Sequence, residues 1–310
     1  MDVSVVIATY NRKNILGKCL ECLFNQDYPR DKYQIVVVDD GSTDGTDRMV
    51  KQKKDKCKCS LIYSQSHQRE GQSKARNKGI LLSEGKVIIF IDSDSLAPPW
   101  FIKEHLRMYK DNPNIIVDGP AITVTGENNL INPPFYSPLI RTLAFFDFRG
   151  AVFITANTSC LKENLIKAGK FDEEFGKGFG WFDRELGLRL RKMGLTRVKN
   201  RRAYVLHYQI EKKNLTFLAK KRKDRGENAI LYYKKHPVKK VKKEARFHYL
   251  FYDKILNKLG WTEKYLTEKY LSFLYQKKSI WYPLFKKFYL IHCYAEGLKR
   301  GYEKYKVRIK

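Results

Sequence analysis

The sequence predicts an α/β fold, a mostly parallel sheet flanked by helices and followed by a basic helical appendage. Three observations carry this. Apolar runs at residues 3–8, 35–38 and 87–91 each end in polar or acidic residues, and runs without alternation belong to strands buried on both faces, as in parallel sheets. Between the first two runs, Ile15, Cys19, Cys22 and Leu23 recur at spacings of three and four, the signature of one helix face and hence of a β-α-β unit. Finally, residues 211–310 hold 28 Lys and Arg against 9 Asp and Glu, a net of +19 out of the +28 of the whole chain.

Taken in order, the first strand runs into Thr9-Tyr10-Asn11-Arg12 and the second into Asp39-Asp40-Gly41-Ser42-Thr43-Asp44-Gly45-Thr46. Ser42 or Thr43 can cap a helix beginning near Asp44, with Gly41 and Gly45 turning the backbone. Asp39 and Asp40 serve equally well as turn residues or as ligand contacts. The third strand ends in Asp92-Ser93-Asp94. Ligands in open α/β sheets bind beyond the carboxyl ends of the strands, and paired carboxylates are hard oxygen ligands for Mg2+ or Mn2+; local turn hydrogen bonds are the plainer reading of an isolated Asp-x-Asp. Residues 115–117 read as a further strand closed by Asp118-Gly119-Pro120, and residues 121–150, rich in Asn, Pro and aromatics, as an irregular loop or short-element region. A strand follows at 152–156, a helix at 183–193 with Leu186, Leu190 and Met193 on one face, a strand at 203–208, and helices beyond Leu215.

The ordered segments Val6-Ile7-Ala8-Thr9-Tyr10-Asn11-Arg12, Val37-Val38-Asp39-Asp40-Gly41-Ser42, Gly71-x-Ser73-x-Ala75-Arg76-Asn77-x-Gly79, Asp92-Ser93-Asp94, Thr155-Ala156-Asn157, Gly169-Lys170-Phe171-Asp172-Glu173 and Gly180-Trp181-Phe182-Asp183-Arg184-Glu185 resemble an inverting family 2 glycosyltransferase of GT-A fold. The resemblance covers residues 2–235, which sets an expected catalytic domain at 1–235 and a basic, aromatic-rich helical region at 236–310. It implies transfer of a sugar from a nucleotide-diphosphate donor, a UDP-sugar before others, to a glycan or lipid-linked acceptor, with Mn2+ or Mg2+ as cofactor.

The resemblance also implies residue roles. Ala8, Thr9, Tyr10, Arg12, Asp39, Asp40, Arg76, Asp92 and Ser93 would form the nucleotide site, Tyr10 stacking on the base and Asp39 or Asp40 accepting from a pyrimidine N–H. Asp94 would reach the metal, with Asp92 and His207 beside it. Asn157 is expected in the donor-sugar pocket. Asp183 is the candidate base, since the acceptor hydroxyl must lose its proton as it attacks the anomeric carbon; it is also placed to cap the helix that follows. The family usually carries Glu-Asp where this chain has Phe182-Asp183, a departure that takes one carboxylate away from acceptor hydrogen bonding. Trp181 and Phe182 offer flat faces for a sugar ring, or ordinary core packing.

Composition bounds the rest. A chain of 310 residues with 43% hydrophobic content buries a substantial core. No run approaches 18 apolar residues, and the chain enters its first strand almost at once, so a cytoplasmic protein is expected. Six cysteines in this length form no disulfide framework. In the basic region aromatics alternate with lysines, a make-up that fits helices lying on an anionic inner membrane face as well as a subdomain with solvated lysines. A basic nucleic-acid-binding protein would explain this appendage but not the carboxylate-ended strands. An inactive scaffold is the remaining alternative, raised by Phe182.

Overall fold

The computed structural model describes residues 1–147, 153–176, 178–209 and 214–307. The chain forms two compact units, one of residues 1–177 and 183–211, the other of residues 178–182 and 212–310. In the first unit the order is β1 (Val3–Thr9), α1 (Lys13–Phe24), β2 (Tyr33–Asp39), α2 (Thr46–Lys54), β3 (Ser60–Gln65), α3 (Gln72–Leu82), β4 (Val87–Ile91), β5 (Ser95–Leu96), α4 (Phe101–Arg107), β6 (Ile115–Asp118), β7 (Ala121–Val124), α5 (Glu127–Ile131), α6 (Pro138–Phe145), β8 (Asn157–Leu161), α7 (Lys162–Lys167), α8 (Phe182–Lys192), β9 (Thr196–Lys199) and β10 (Val205–Tyr208). A short 3-10 turn spans Glu173–Phe175.

Seven strands form the main sheet in the order β3-β2-β1-β4-β8-β6-β9. The β3-β2-β1-β4 half is parallel throughout, and β8 lies antiparallel to both β4 and β6. Every residue of β2 and β4 is buried, which is why their sequences lack alternation. Helix α3 crosses β1 so closely that a Cβ on Gly79 would lie 2.4 Å from Val6 Cγ1. The direction of strand addition reverses between β1 and β4, and their carboxyl ends open the crevice that such a reversal makes. A second sheet, β5-β10-β7, stands at that end.

Several expectations are corrected. The helix after Asp40 begins at Thr46 rather than Asp44, with Gly45 at its N-cap in the left-handed region; Asp44 instead accepts from Thr46 N and Lys13 N. Residues 121–145, expected as loop or short elements, hold three short elements, β7, α5 and α6. Of the expected strand at 152–156, Val152 lies outside the described residues, and the strand itself is β8, starting at Asn157, where pairing with Ile91 becomes available. Met193 falls beyond α8 and is 40% exposed, while Leu186 and Leu190 are buried. The strand at 203–208 shortens to β10.

His105 is a polar node of the core. It is fully buried, with Nε2 2.9 Å from Asn157 Oδ1 and Nδ1 2.9 Å from Ser159 Oγ. Burial pushes its pKa down from 6.5 to about 4, against the pull of Asn157. The folded state therefore favours neutral imidazole, a contribution complete above pH 6.5 and lost as pH falls toward 4. Urea titrations of the wild type should show about 3 kcal/mol disappearing across that window, and His105→Gln should flatten that part of the profile.

The second unit comprises α9 (Leu215–Lys235), α10 (Lys239–Glu244), α11 (Tyr249–Lys258), α12 (Trp261–Lys264), α13 (Glu268–Gln276) and α14 (Tyr282–Tyr305), with the 178–182 segment. The expected boundary at 235 would sever α9 from this unit. Helix α9 belongs to it because α9 and α14 meet backbone to backbone: a Cβ on Gly297 would lie 2.0 Å from Lys223 O, and one on Gly226 2.2 Å from Tyr294 O. Only glycine fits there. Gly297→Ala should destabilise this unit by about 2–3 kcal/mol through overpacking, read as an earlier thermal transition. No helix among the described residues is long and apolar enough to cross a membrane.

Candidate active site

The crevice is assembled by loops that bind each other before they bind anything else. Asn11, at φ +49°, donates its backbone N–H to Ser42 Oγ and accepts from Thr43 N, tying the β1–α1 turn to the β2–α2 turn. Asp39 is fully buried; its oxygens accept from Ser42 N at 2.7 Å and Tyr63 Oη at 2.7 Å. Asp40, 4% exposed, accepts from Glu70 N and Gly71 N. Asp39 and Asp40, one or the other of which is expected to accept from a pyrimidine N–H, are thus both engaged in holding backbone amides, as short acidic side chains in turns do.

Tyr10, in contrast, is 40% exposed, with the Arg69 guanidinium 4.8 Å from its ring centroid. The sequence does not single out Arg69, although its place just before Gly71 in the resembling motif could have drawn attention. Among the described residues its Nε is buried without a hydrogen-bond partner, as are the hydroxyls of Thr9, Ser73 and Ser95. Ala8 is half-buried and Ser93 buried.

Beyond β4, Asp92, Asp94 and His207 each offer a ligand atom within 4.8 Å of the others. His207 is brought in by strand pairing: β10 lies antiparallel to β5 with His207 opposite Ser95, and Tyr208 N donates to Asp94 O at 2.8 Å. Its Nε2 lies 3.3 Å from Asp94 Oδ1, while Arg12 Nη1 donates to Asp94 Oδ2 at 2.5 Å. Arg76, buried on α3, reaches Asp92 at 3.3 Å. Burial lowers the Arg76 pKa, and the charges of Asp92 and Asp183 oppose that fall. Arg76 therefore pairs with one carboxylate of the cluster and feels the charge of the candidate base.

Asp183 lies half-buried in the first turn of α8, its Oδ1 accepting from Arg184 N at 2.8 Å. Helix α8 is anchored by Arg189, which pairs with buried Glu185 at 2.6 Å and donates to Lys170 O. Three expected sugar contacts are placed elsewhere. Asn157, 2% exposed, spends its amide on Pro120 O, Ala203 O and His105. Trp181, 3% exposed, stacks on Tyr232 at 5.3 Å and donates Nε1–H to Arg225 O. Phe182 is 6% exposed. For these rings core packing wins over display, because burying a large aromatic is worth roughly 1.5–3 kcal/mol.

These features define a class: a parallel-sheet domain with a carboxylate-rich crevice at the reversal of strand order, of the kind that holds nucleotides. A family model for glycosyl transferase family 2 matches residues 4–167. The chain belongs to this family. It is 30% identical over 126 residues to a poly(ribitol-phosphate) beta-glucosyltransferase of Bacillus spizizenii, covering 41% of this chain and 20% of that protein. It is 28% identical over 205 residues to a dolichyl N-acetyl-alpha-D-glucosaminyl phosphate 3-beta-D-2,3-diacetamido-2,3-dideoxy-beta-D-glucuronosyltransferase of Methanococcus voltae, covering 62% of each. The chain thus spans less than two thirds of the length of either relative.

Among solved structures, a mannosyltransferase of Pyrobaculum calidifontis in complex with GDP-Man and Mn2+ superposes with a TM-score of 0.63 at 19% identity, over 96% of this chain and 86% of that one. Staphylococcus aureus TarS 1-349 with UDP-GlcNAc gives 0.56 at 17% identity, over 99% and 92%. Both likenesses concern the fold, which is the GT-A arrangement.

Proposed function

We propose that this chain is a glycosyltransferase that moves a sugar from a nucleotide-diphosphate donor, a UDP-sugar, to a glycan or lipid-linked acceptor by metal-dependent inverting displacement. The observation that carries the reading is the gathering of Asp92, Asp94 and His207 within 4.8 Å at the strand-order reversal. Two carboxylates suit Mn2+ and Mg2+, and the imidazole in the set argues for Mn2+, because Mg2+ takes oxygen ligands. These three residues would hold the ion, which when bound neutralises charge on the departing diphosphate.

The remaining steps are done by side chains. Tyr10, exposed beside Arg69, presents a face for the base. Arg12 and Arg76 orient the two carboxylates and place positive charge along the crevice. Asp183 takes the acceptor proton as the acceptor oxygen forms its bond to the anomeric carbon and the bond to the diphosphate oxygen breaks on the opposite face. One displacement with no covalent enzyme intermediate inverts the anomeric centre. The relatives' glucosyl and glucuronosyl transfer and the bound UDP-GlcNAc of a fold neighbour support the donor class. The basic, aromatic-bearing second unit is proposed to rest on an anionic membrane face.

The test is a panel of UDP- and GDP-sugars assayed for donor hydrolysis and transfer to glycan and lipid-phosphate acceptors, with Mn2+, with Mg2+ and with chelator. Turnover of a UDP-sugar that chelation removes supports the reading. Absence of donor binding across the panel would overturn it.

A further inference from the structure

The second unit contains a cleft of about 330 Å³ whose charged lining is Arg222, Arg246, Lys286 and Lys287, with Tyr249 and Leu290 among the other walls. That volume is within the roughly 300–1,000 Å³ of small-ligand sites. No carboxylate lines it, and none of the four cations has an ion-pair partner among the described residues. Carboxylates of the same unit are engaged by other cations: Asp253 by Lys299 and His292, Glu296 by Lys223, Glu227 by Lys304. Four like charges converging without a counter-charge repel one another, and an anion relieves that repulsion.

The cleft is also built rather than incidental. Arg246 stands at φ +56°, just past the Ala245 C-cap of α10, a left-handed position that glycine ordinarily fills. Holding a long side chain there costs of order 1 kcal/mol, and the Arg246 side chain lines the cleft. The head is fixed by a 2.8 Å hydrogen bond from Nη1 to Tyr249 Oη and lies 5.6 Å from that ring. Tyr249 in turn packs edge to face on buried Tyr294, whose hydroxyl donates to Ala245 O at 2.8 Å. Two guanidiniums present planar, multidentate donors, and two ammonium groups add point charge. This is the donor set for phosphate oxygens.

We propose that this cleft binds a phosphomonoester or diphosphate group, presented either by a lipid headgroup or by a soluble phosphate compound. It is separate in its residues from the cluster of Asp92, Asp94 and His207, and it does not depend on the sugar-transfer reading. It also differs from diffuse attraction to an anionic surface, because four named side chains around one cavity carry it.

The full chain is titrated at low ionic strength with inorganic phosphate and with pyrophosphate by calorimetry. It is also sedimented with phosphatidylcholine vesicles containing a minority of phosphatidic acid or of phosphatidylglycerol. Three proteins are compared: wild type, Arg222→Gln with Arg246→Gln, and Lys239→Gln with Lys240→Gln as a control of equal charge change outside the cleft lining. Arg246→Gly is a fourth, since glycine suits its backbone and should keep the fold intact by thermal melting. The expected result is that the cleft pair and Arg246→Gly weaken binding of phosphate probes, by about tenfold or more for the pair, while the control changes it less than about twofold. Loss with both soluble and vesicle probes assigns the site to the phosphate group itself; loss confined to phosphatidic acid vesicles assigns it to a lipid-borne monoester. Equal weakening by the cleft pair and the control, or no binding of any probe by the wild type, would overturn the proposal. Asp94→Ala must leave the cleft-dependent component of these titrations unchanged, so a failed sugar-transfer reading is distinguishable from a failed phosphate cleft.

Discussion

Asp94→Ala is expected to reduce sugar transfer by at least about a thousandfold, with the folded state preserved. The side chain lies at the mouth of the crevice, 8% exposed, held by Arg12 on one oxygen and approached by His207 on the other. Its removal takes one carboxylate from the three-residue ligand set and leaves Arg12 and His207 without the anion between them. Positioned charge on a leaving diphosphate is worth several kcal/mol of barrier, and about 4 kcal/mol is a thousandfold in rate. The fold should survive because these side-chain contacts belong to the crevice, while the Asp94 backbone carbonyl, which accepts from Tyr208 N, is untouched by the substitution. Initial rates with a saturating donor, set beside thermal melts of both proteins, give the answer. Near-normal turnover that resists chelation would falsify the assignment of Asp94 to the metal.

How far the sequence reaches is seen at particular residues. The strands β1, β2 and β4 are legible because burial on both faces leaves them largely apolar, the buried Ser4–Gln34 hydrogen bond aside, so their ends, and with them Asp39, Asp40, Asp92 and Asp94, stand out against apolar runs. The partnership of His207 with Asp94 is not legible from spacing. It depends on a two-residue strand, β5, pairing with β10, and so short a strand has no periodicity to read. The resemblance supplied His207 where physics along the chain could not.

Asp39, Asp40, Asn157 and Trp181 are engaged inside the protein for one reason. A side chain that can bind a ligand can also satisfy backbone amides or fill a core, and residue type does not say which competitor wins. Asp40 meets Glu70 N and Gly71 N, residues about thirty positions away that only the folded chain brings near. Arg69 and the placement of α9 escape the sequence on the same grounds. A helix–helix contact set by Gly226 and Gly297 is a property of two segments far apart in the chain, and neither glycine announces its partner.

Asp183→Asn should lower the rate of the chemical step by roughly 10²–10⁴ while donor affinity changes little. The start of α8 is what makes this expectation specific. Glu185 and Arg189 clamp the helix to the 168–170 turn, which fixes its first turn and presents Asp183 half-buried near Arg76. Asparagine keeps the size and the acceptor oxygen that receives Arg184 N–H, so this local contact survives; Asp183 lies inside the first turn of α8, which starts at Phe182, rather than ahead of the helix as a cap would. What asparagine cannot do is accept a proton from an attacking hydroxyl. The substitution therefore isolates the base: a purely local structural role predicts retained kcat, a base predicts retained stability with lost kcat. Single-turnover rates, donor affinity by equilibrium titration and melting temperature are measured on the two proteins together. If donor affinity collapses in parallel with the rate, Asp183 is a donor ligand or a structural residue, and the acceptor proton must leave by another group.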